Sequence, residues 1–221
     1  MKAMILAAGR GERMRPLSDA IPKVLLEVQG KPLIARLIEA IARSGVREIV
    51  INHAHLGYMI EAALGDGRRF GVAIRYSREA EPLETAGGIA QALHLLGDGP
   101  FLVVNGDLFC DFDFSRLVGT ALEQNLAHLV LVANPPHHPQ GDFALNGTQV
   151  AEAGQPKLTF GGIGLYSPEL FSSIRPGSKG QIAALLRAAM ARGRVSGEVH
   201  RGIWHDVGTP ARLSALNERV A

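Results

Sequence analysis

Residues 9–23 crowd two glycines, three arginines and a lysine into one stretch: Gly9-Arg10-Gly11-Glu12-Arg13-Met14-Arg15-Pro16, then Pro22-Lys23. Glycines let backbone N–H groups approach a bound group closely. Guanidinium forks and an ammonium neutralise several phosphate oxygens at once. The chemistry indicated is the holding of a polyphosphate. Two familiar phosphate loops are excluded. The dinucleotide fingerprint needs a third glycine where Met14 stands. The P-loop string, Gly, four residues, then Gly-Lys-Ser/Thr, does not occur.

Two aspartates add to this. Asp107 follows the apolar run Phe101–Val104 in Asn105-Gly106-Asp107, and Asp206 lies in Trp204-His205-Asp206-Val207-Gly208-Thr209-Pro210. In an open α/β sheet, ligands collect at the carboxyl ends of strands. Two carboxylates from distant strands are the usual minimum for holding Mg²⁺ against substrate phosphates. The plain alternative is turn chemistry, with Asp107 opening a turn and Asp206 entering a helix.

The string Leu6–Arg13 with Pro16 and Pro22-Lys23, taken with the two aspartate segments, resembles the sugar-1-phosphate nucleotidyltransferases, from Met4 to Leu213. The resemblance implies a Rossmann-like three-layer α/β fold, Mg²⁺, and a nucleoside triphosphate and a sugar 1-phosphate as partners. It places Ala8, Gly9, Gly11, Glu12, Arg13 and Lys23 around the nucleotide, with Arg13 and Lys23 catalytic and Asp107 and Asp206 on the metal. Glu81-Pro82-Leu83-Glu84-Thr85-Ala86-Gly87-Gly88 resembles the loop that borders the base, adding Glu81 and Gly88. Glu84 departs from the family there, standing where a glycine is usual. Glu81 can accept from a base N–H without separating uracil from guanine. On the sugar side, the family's Glu-Lys-Pro lysine has no secure counterpart in Ala151–Lys157. Asp142 and Glu152 are candidate acceptors, Gly141 permits close approach of the ring, and Asn105 can donate. The compact length, the Glu81–Gly88 string and Gly141-Asp142-Phe143-Ala144-Leu145 are most similar to a uridylyltransferase branch, which favours UTP. Guanylyl- and thymidylyltransferases, a molybdopterin guanylyltransferase and a silent nucleotide-sugar-binding regulator stand as alternatives.

The rest of the chain must position these groups. A net charge of +2 gives no argument for nucleic acid or membrane as partner. Cys110 is the sole cysteine, so neither an internal disulfide nor a thiolate metal cluster is expected. The start lacks a signal-peptide pattern, and no apolar stretch nears the ~20 residues of a membrane span, so a cytoplasmic location is expected. None of the histidines has the spacing of a metal pair. Apolar runs predict strands at Met4–Ala7, Glu48–Asn52, Val72–Tyr76, Phe101–Asn105 and Leu129–Ala133. Helical spacing predicts helices at Pro32–Ser44, Leu56–Leu64, Thr85–Leu96 and Ser115–Asn125, with Pro32 at the first helical position. Such alternation argues for a mostly parallel sheet covered by helices on both faces. After Asn134 the pattern becomes mixed and antiparallel. A hairpin is expected around Asn146-Gly147, then a Gly-interrupted strand Leu158–Tyr166, a helix Gln181–Arg192, a strand Arg194–His200 and a closing helix Pro210–Val220. One domain spanning 1–221 is expected, with a nucleotide-binding subregion to about residue 133 and a smaller sugar-binding, metal-completing subregion after it.

Overall fold

Ala3-Met4-Ile5-Leu6 carries no polar side chain, and in the computed structural model, which describes residues 1–219, it forms a buried strand with neighbours on both sides. In chain order the strands are β1 (Ala3–Leu6), β2 (Glu27–Val28), β3 (Lys31–Pro32), β4 (Glu48–His53), β5 (Ala73–Arg78), β6 (Phe101–Asn105) and β7 (Leu108–Cys110). They continue as β8 (Ala127–Val132), β9 (Phe143–Asn146), β10 (Gln149–Ala151), β11 (Lys157–Tyr166), β12 (Val195–His200) and β13 (Trp204–Asp206). The helices are α1 (Leu17–Ala20), α2 (Leu33–Arg43), α3 (Gly57–Leu64), α4 (Glu84–Leu96), α5 (Ile182–Met190) and α6 (Pro210–Arg219). The expected closing helix is thus present to Arg219, and Val220 lies outside the described residues.

Nine strands form one sheet in the order β5-β4-β1-β6-β11-β8-β12-β10-β9. β5, β4, β1 and β6 are mutually parallel; the inner strands β1 and β6 are near-continuously apolar, and the edge strand β5 alternates. The sheet as a whole is mixed rather than mostly parallel. β11 returns antiparallel between β6 and β8, and β9 and β10 add a further antiparallel pair. Side chains alternate across the strands. Ala3, Ile5, Ile49, Ile51 and Val104 pack with Ile34 and Ile38 of α2 and Ile60 of α3, while Met4, Val50, Phe101 and Val103 pack with Ile89 of α4 and Leu186 of α5. The result is helix, sheet, helix in three layers. Among the described residues no helix is long and apolar enough to cross a membrane.

Two local expectations are corrected. Ser115 does not start a helix to Asn125. Asp113 accepts from the Ser115 N–H at 3.0 Å and caps a single 3₁₀ turn, Phe114–Arg116, and the chain then passes through positive φ at Gly119 (85°) and Glu123 (51°). Pro32 is not the first residue of α2. It stays extended at φ −53°, ψ 139° and pairs with Glu27 in the β2–β3 ribbon. The hairpin turns where expected, with Asn146 opposite Gln149 and Gly147 at φ 61°.

Candidate active site

β4, β1 and β6 lie side by side in register, so Asn52, Leu6 and Asn105 end at one level. The turns leaving these strands enclose a cleft of about 1120 Å³. One wall is the segment Leu6–Arg13 with Lys23. Gly11 adopts φ 64°, a left-handed conformation natural to glycine, and its carbonyl accepts from the Met14 N–H and the Ser18 hydroxyl, each at 2.7 Å. The loop is therefore fixed by its own backbone, with Arg10, Glu12 and Arg13 lining the cleft. Arg15 points elsewhere and pairs with Asp19 at 3.1 Å.

Lys23 reaches across to Asp107 and forms an ion pair with it, both side chains largely screened from solvent. Asp107 leaves β6 through Gly106, where a Cβ would come within 2.7 Å of the Leu6 carbonyl, so only glycine fits the turn. β7 then pairs antiparallel with β13, setting Asp206 opposite Leu108, and the Val207 N–H donates to the Asp107 carbonyl at 3.0 Å. This ribbon was not foreseen from sequence, because three-residue strands leave no periodic signal. It is what draws Asp107 and Asp206 together. Its position is set by β11, whose register shifts between Phe160 and Ile163. The Gly161 carbonyl there accepts from Trp204 Nε1 at 2.9 Å, and a Cβ at Gly162 would sit 2.6 Å from Asn105 Nδ2. Asp206 is held by Arg212 at 2.7 Å and by His137 at 3.1 Å. Gly208 lines the cleft, and a Cβ on it would lie 3.5 Å from both Arg13 Nη2 and Asp206 Oδ2, which places those two groups at one rim.

Two carboxylates suit Mg²⁺, a hard cation that keeps water and phosphate oxygens in its remaining positions. Asp107 has Lys23 against it, and Asp206 has Arg212 and His137. His205 alternates to the other face of β13, with its ring 6.5 Å from that of Phe109, and burial keeps it below the usual histidine range. Burial pushes the Cys110 thiol up, away from thiolate chemistry.

The opposite wall comprises Ala80, Glu81, Pro82, Glu84, Thr85 and Lys179. Glu84 takes φ 61°, so the side chain that replaces the usual glycine keeps a glycine-like backbone. Of the residues singled out in the sequence, Ala8, Gly9, Gly11, Glu12, Arg13, Lys23, Glu81, Asn105 and Asp107 line this one cleft. Gly88 is buried in α4 and does not line it. Asp206, Gly141, Asp142 and Glu152 stand outside its lining as well. Gly141 lies against Asn134 and the Lys157 backbone at φ 64°. Asp142 accepts from the Phe160 N–H at 2.8 Å and meets His138 at 3.0 Å, and Glu152 pairs with Arg187 at 2.9 Å on the surface. Sequence reasoning missed Asn52, Lys179 and Gly208 as lining residues. Asn52 had a signal, a polar residue closing an apolar strand beside β1.

Comparison with known proteins agrees with this architecture. A family described as nucleotidyl transferase matches residues 2–149. An N-acetylmuramate alpha-1-phosphate uridylyltransferase of Neisseria meningitidis is 56% identical over 96% of this chain and 95% of its own length. Its namesake in Caulobacter vibrioides is 31% identical over 99% of this chain and 96% of its own. A mannose-1-phosphate guanylyltransferase catalytic subunit beta of Xenopus tropicalis is 30% identical over 95% of this chain and 62% of its own. The same fold is seen in HddC from Yersinia pseudotuberculosis complexed with GMP-PN, at 22% identity and TM-score 0.82 over 100% of this chain and 99% of that one. A glycine loop at the end of β1, a lysine and an aspartate paired across the cleft, and relatives matched along almost the whole length lead to one conclusion: the chain belongs to the nucleotidyl transferase family.

Proposed function

We propose that this protein transfers the uridylyl group of UTP to N-acetylmuramic acid 1-phosphate, releasing pyrophosphate and the UDP-sugar. The observation that carries the reaction type is the single cleft into which Gly9, Gly11, Arg13, Lys23 and Asp107 converge. The base and sugar rest on the two uridylyltransferase relatives.

The acceptor is already an anionic oxygen nucleophile, so no side chain has to remove a proton. Its phosphate oxygen bonds to the α-phosphorus of UTP, and the bond from that phosphorus to the bridging oxygen breaks, the electron pair leaving on pyrophosphate. Catalysis is then positioning and charge stabilisation. Arg13 and the loop N–H groups hold the β- and γ-phosphates as charge accumulates there. Lys23 turns from Asp107 to an α-phosphate oxygen. Asp107 and Asp206 would hold Mg²⁺, which supplies further neutralisation of phosphate charge. Glu81 accepts from the base N–H, and Asn105 donates to the sugar. Gly141, Asp142 and Glu152 are the sugar-side residues of the subregion after about residue 133, outside the cleft lining in this structure, and Gly88 supports the base side from within α4. Pyrophosphate release should be measured with Mg²⁺ across UTP, GTP and dTTP and a panel of sugar 1-phosphates. Preference for UTP with N-acetylmuramic acid 1-phosphate is expected, and preference for GTP with mannose 1-phosphate would replace the substrate assignment.

A further inference from the structure

Beneath the cleft runs a buried chain of hydrogen bonds that joins its two walls. The Ala7 N–H, at the start of the phosphate loop, donates to Asn52 Oδ1 at 2.9 Å. Asn52 Nδ2 donates to Glu79 Oε1 at 2.6 Å. Glu79 Oε2 accepts from the Leu83 N–H at 2.9 Å, folding the base-side turn Ala80–Leu83 back on itself. Asn52 is 2% exposed and Glu79 6%, so water does not substitute for these partners. Every link points the same way, from N–H toward the Glu79 carboxylate. A neutral amide at position 79 would turn an NH₂ group on an NH₂ group or on the Leu83 N–H. α4 makes room for the relay at one point: a Cβ at Gly88 would stand 2.6 Å from Glu79 Oε1 and 2.7 Å from Asn52 Nδ2.

We infer that Asn52 and Glu79 are positioning residues that fix the distance between the phosphate loop and the base-side turn, so that the triphosphate and base of one nucleotide are met together. The inference rests on the cleft being the nucleotide site. Neither residue touches the reacting atoms. Their effect passes through Ala7 on one side and the Ala80–Leu83 turn on the other, and Gly88 acts by leaving the relay space. Ordered in advance, the two walls bind a nucleotide without first losing conformational freedom.

The directionality supplies the test. Glu79→Gln removes the common acceptor, and Asn52→Asp sets two carboxylates against each other. The double variant Asn52→Asp/Glu79→Gln restores every link with the middle bond reversed. The carboxylate introduced at position 52 accepts from the Ala7 N–H and from the amide NH₂ introduced at position 79, and the oxygen of that amide accepts from the Leu83 N–H. Initial rates and thermal unfolding are measured for wild type, both single variants, the double variant and Gly88→Ala. Glu79→Gln, Asn52→Asp and Gly88→Ala are expected to raise the KM for UTP about tenfold or more while kcat and the KM for the sugar 1-phosphate stay within about threefold. The double variant should return the KM for UTP to within about threefold of wild type. Single variants that fold with a wild-type KM for UTP, or a double variant no better than the worse single one, would overturn the inference. If a single variant does not fold, the double variant decides in the same way: a near-wild-type KM supports the relay, and a tenfold rise or failure to fold rejects it. GTP and dTTP are run alongside. A wild-type enzyme that prefers another base changes the substrate assignment and leaves the relay to be read on that nucleotide.

Discussion

Lys23 and Asp107 pair across the cleft, and neither is fully open to water. Breaking such a pair by removing one partner leaves the other charge uncompensated, which costs more than losing a surface pair. Lys23→Ala and Arg13→Ala are expected to lower kcat by about 10²- to 10³-fold, the scale on which one charge-stabilising donor acts. Initial-rate kinetics decide this, and kcat within a few-fold of wild type in both variants would remove these residues from the mechanism. Lys23→Ala should also lower the unfolding temperature of the substrate-free enzyme, a loss Arg13→Ala does not share, since Arg13 forms no ion pair among the described residues. Glu84 differs in kind. Its φ of 61° is strained for a residue with a Cβ, by about 1 kcal/mol. Glu84→Gly is therefore expected to raise stability by about 0.5–1 kcal/mol in urea unfolding, and a loss of stability would show that the carboxylate itself holds the turn.

At the scale of elements, the short β7–β13 ribbon brings Asp206 toward Asp107, the pair proposed to hold Mg²⁺, and Trp204 anchors it to the glycine bulge of β11. Trp204→Phe removes that hydrogen bond, at a cost of about 1 kcal/mol, and gives up part of the indole's packing as well. The expected signature is a higher Mg²⁺ concentration for half-maximal rate with an unchanged KM for UTP. An unchanged Mg²⁺ dependence would detach Trp204 from the placing of Asp206. The elements legible in the sequence were those whose pattern is long. Phe101–Asn105 reads as a buried strand because Phe101–Val104 is an unbroken apolar run, and α2 reads as a helix because Leu33, Leu37, Ile38 and Ile41 recur on one face. The ribbon was not legible, since its pairing is tertiary and its six residues include Trp, His, Asp and Cys. The helix expected after Ser115 stops after one turn because the chain passes into positive φ at Gly119 and again at Glu123. The cleft wall formed by Leu6–Arg13 and Lys23 was readable from residue types and their spacing. The link between Asn52 and Glu79 was hidden, because it exists only once α4, β4 and β5 have packed.

For the whole molecule, the order of strands has a mechanical meaning. β11 sits between β6 and β8, and β8 lies between β11 and β12, so the later part of the chain is built into the middle of the sheet. A fragment ending at Ala133 would expose one edge of β6 and both edges of β8. Such a fragment is expected to lack a cooperative unfolding transition by circular dichroism, and a sharp transition would establish residues 1–133 as an independent unit. On the proposed reading, this arrangement lets one sheet serve two substrates. The parallel half presents loops at its strand ends, and the antiparallel half closes on it through β11 and the β7–β13 ribbon.

The Lys23–Asp107 pair also shapes what the resting enzyme ignores. On the proposed reading, a polyphosphate arriving alone would gain Lys23 and leave Asp107 without a counter-charge, and a divalent cation arriving alone would do the reverse. Only the two together satisfy both groups. In the language of circuits the cleft is a coincidence detector, quiet toward either signal by itself and responsive when nucleotide and cation arrive as one.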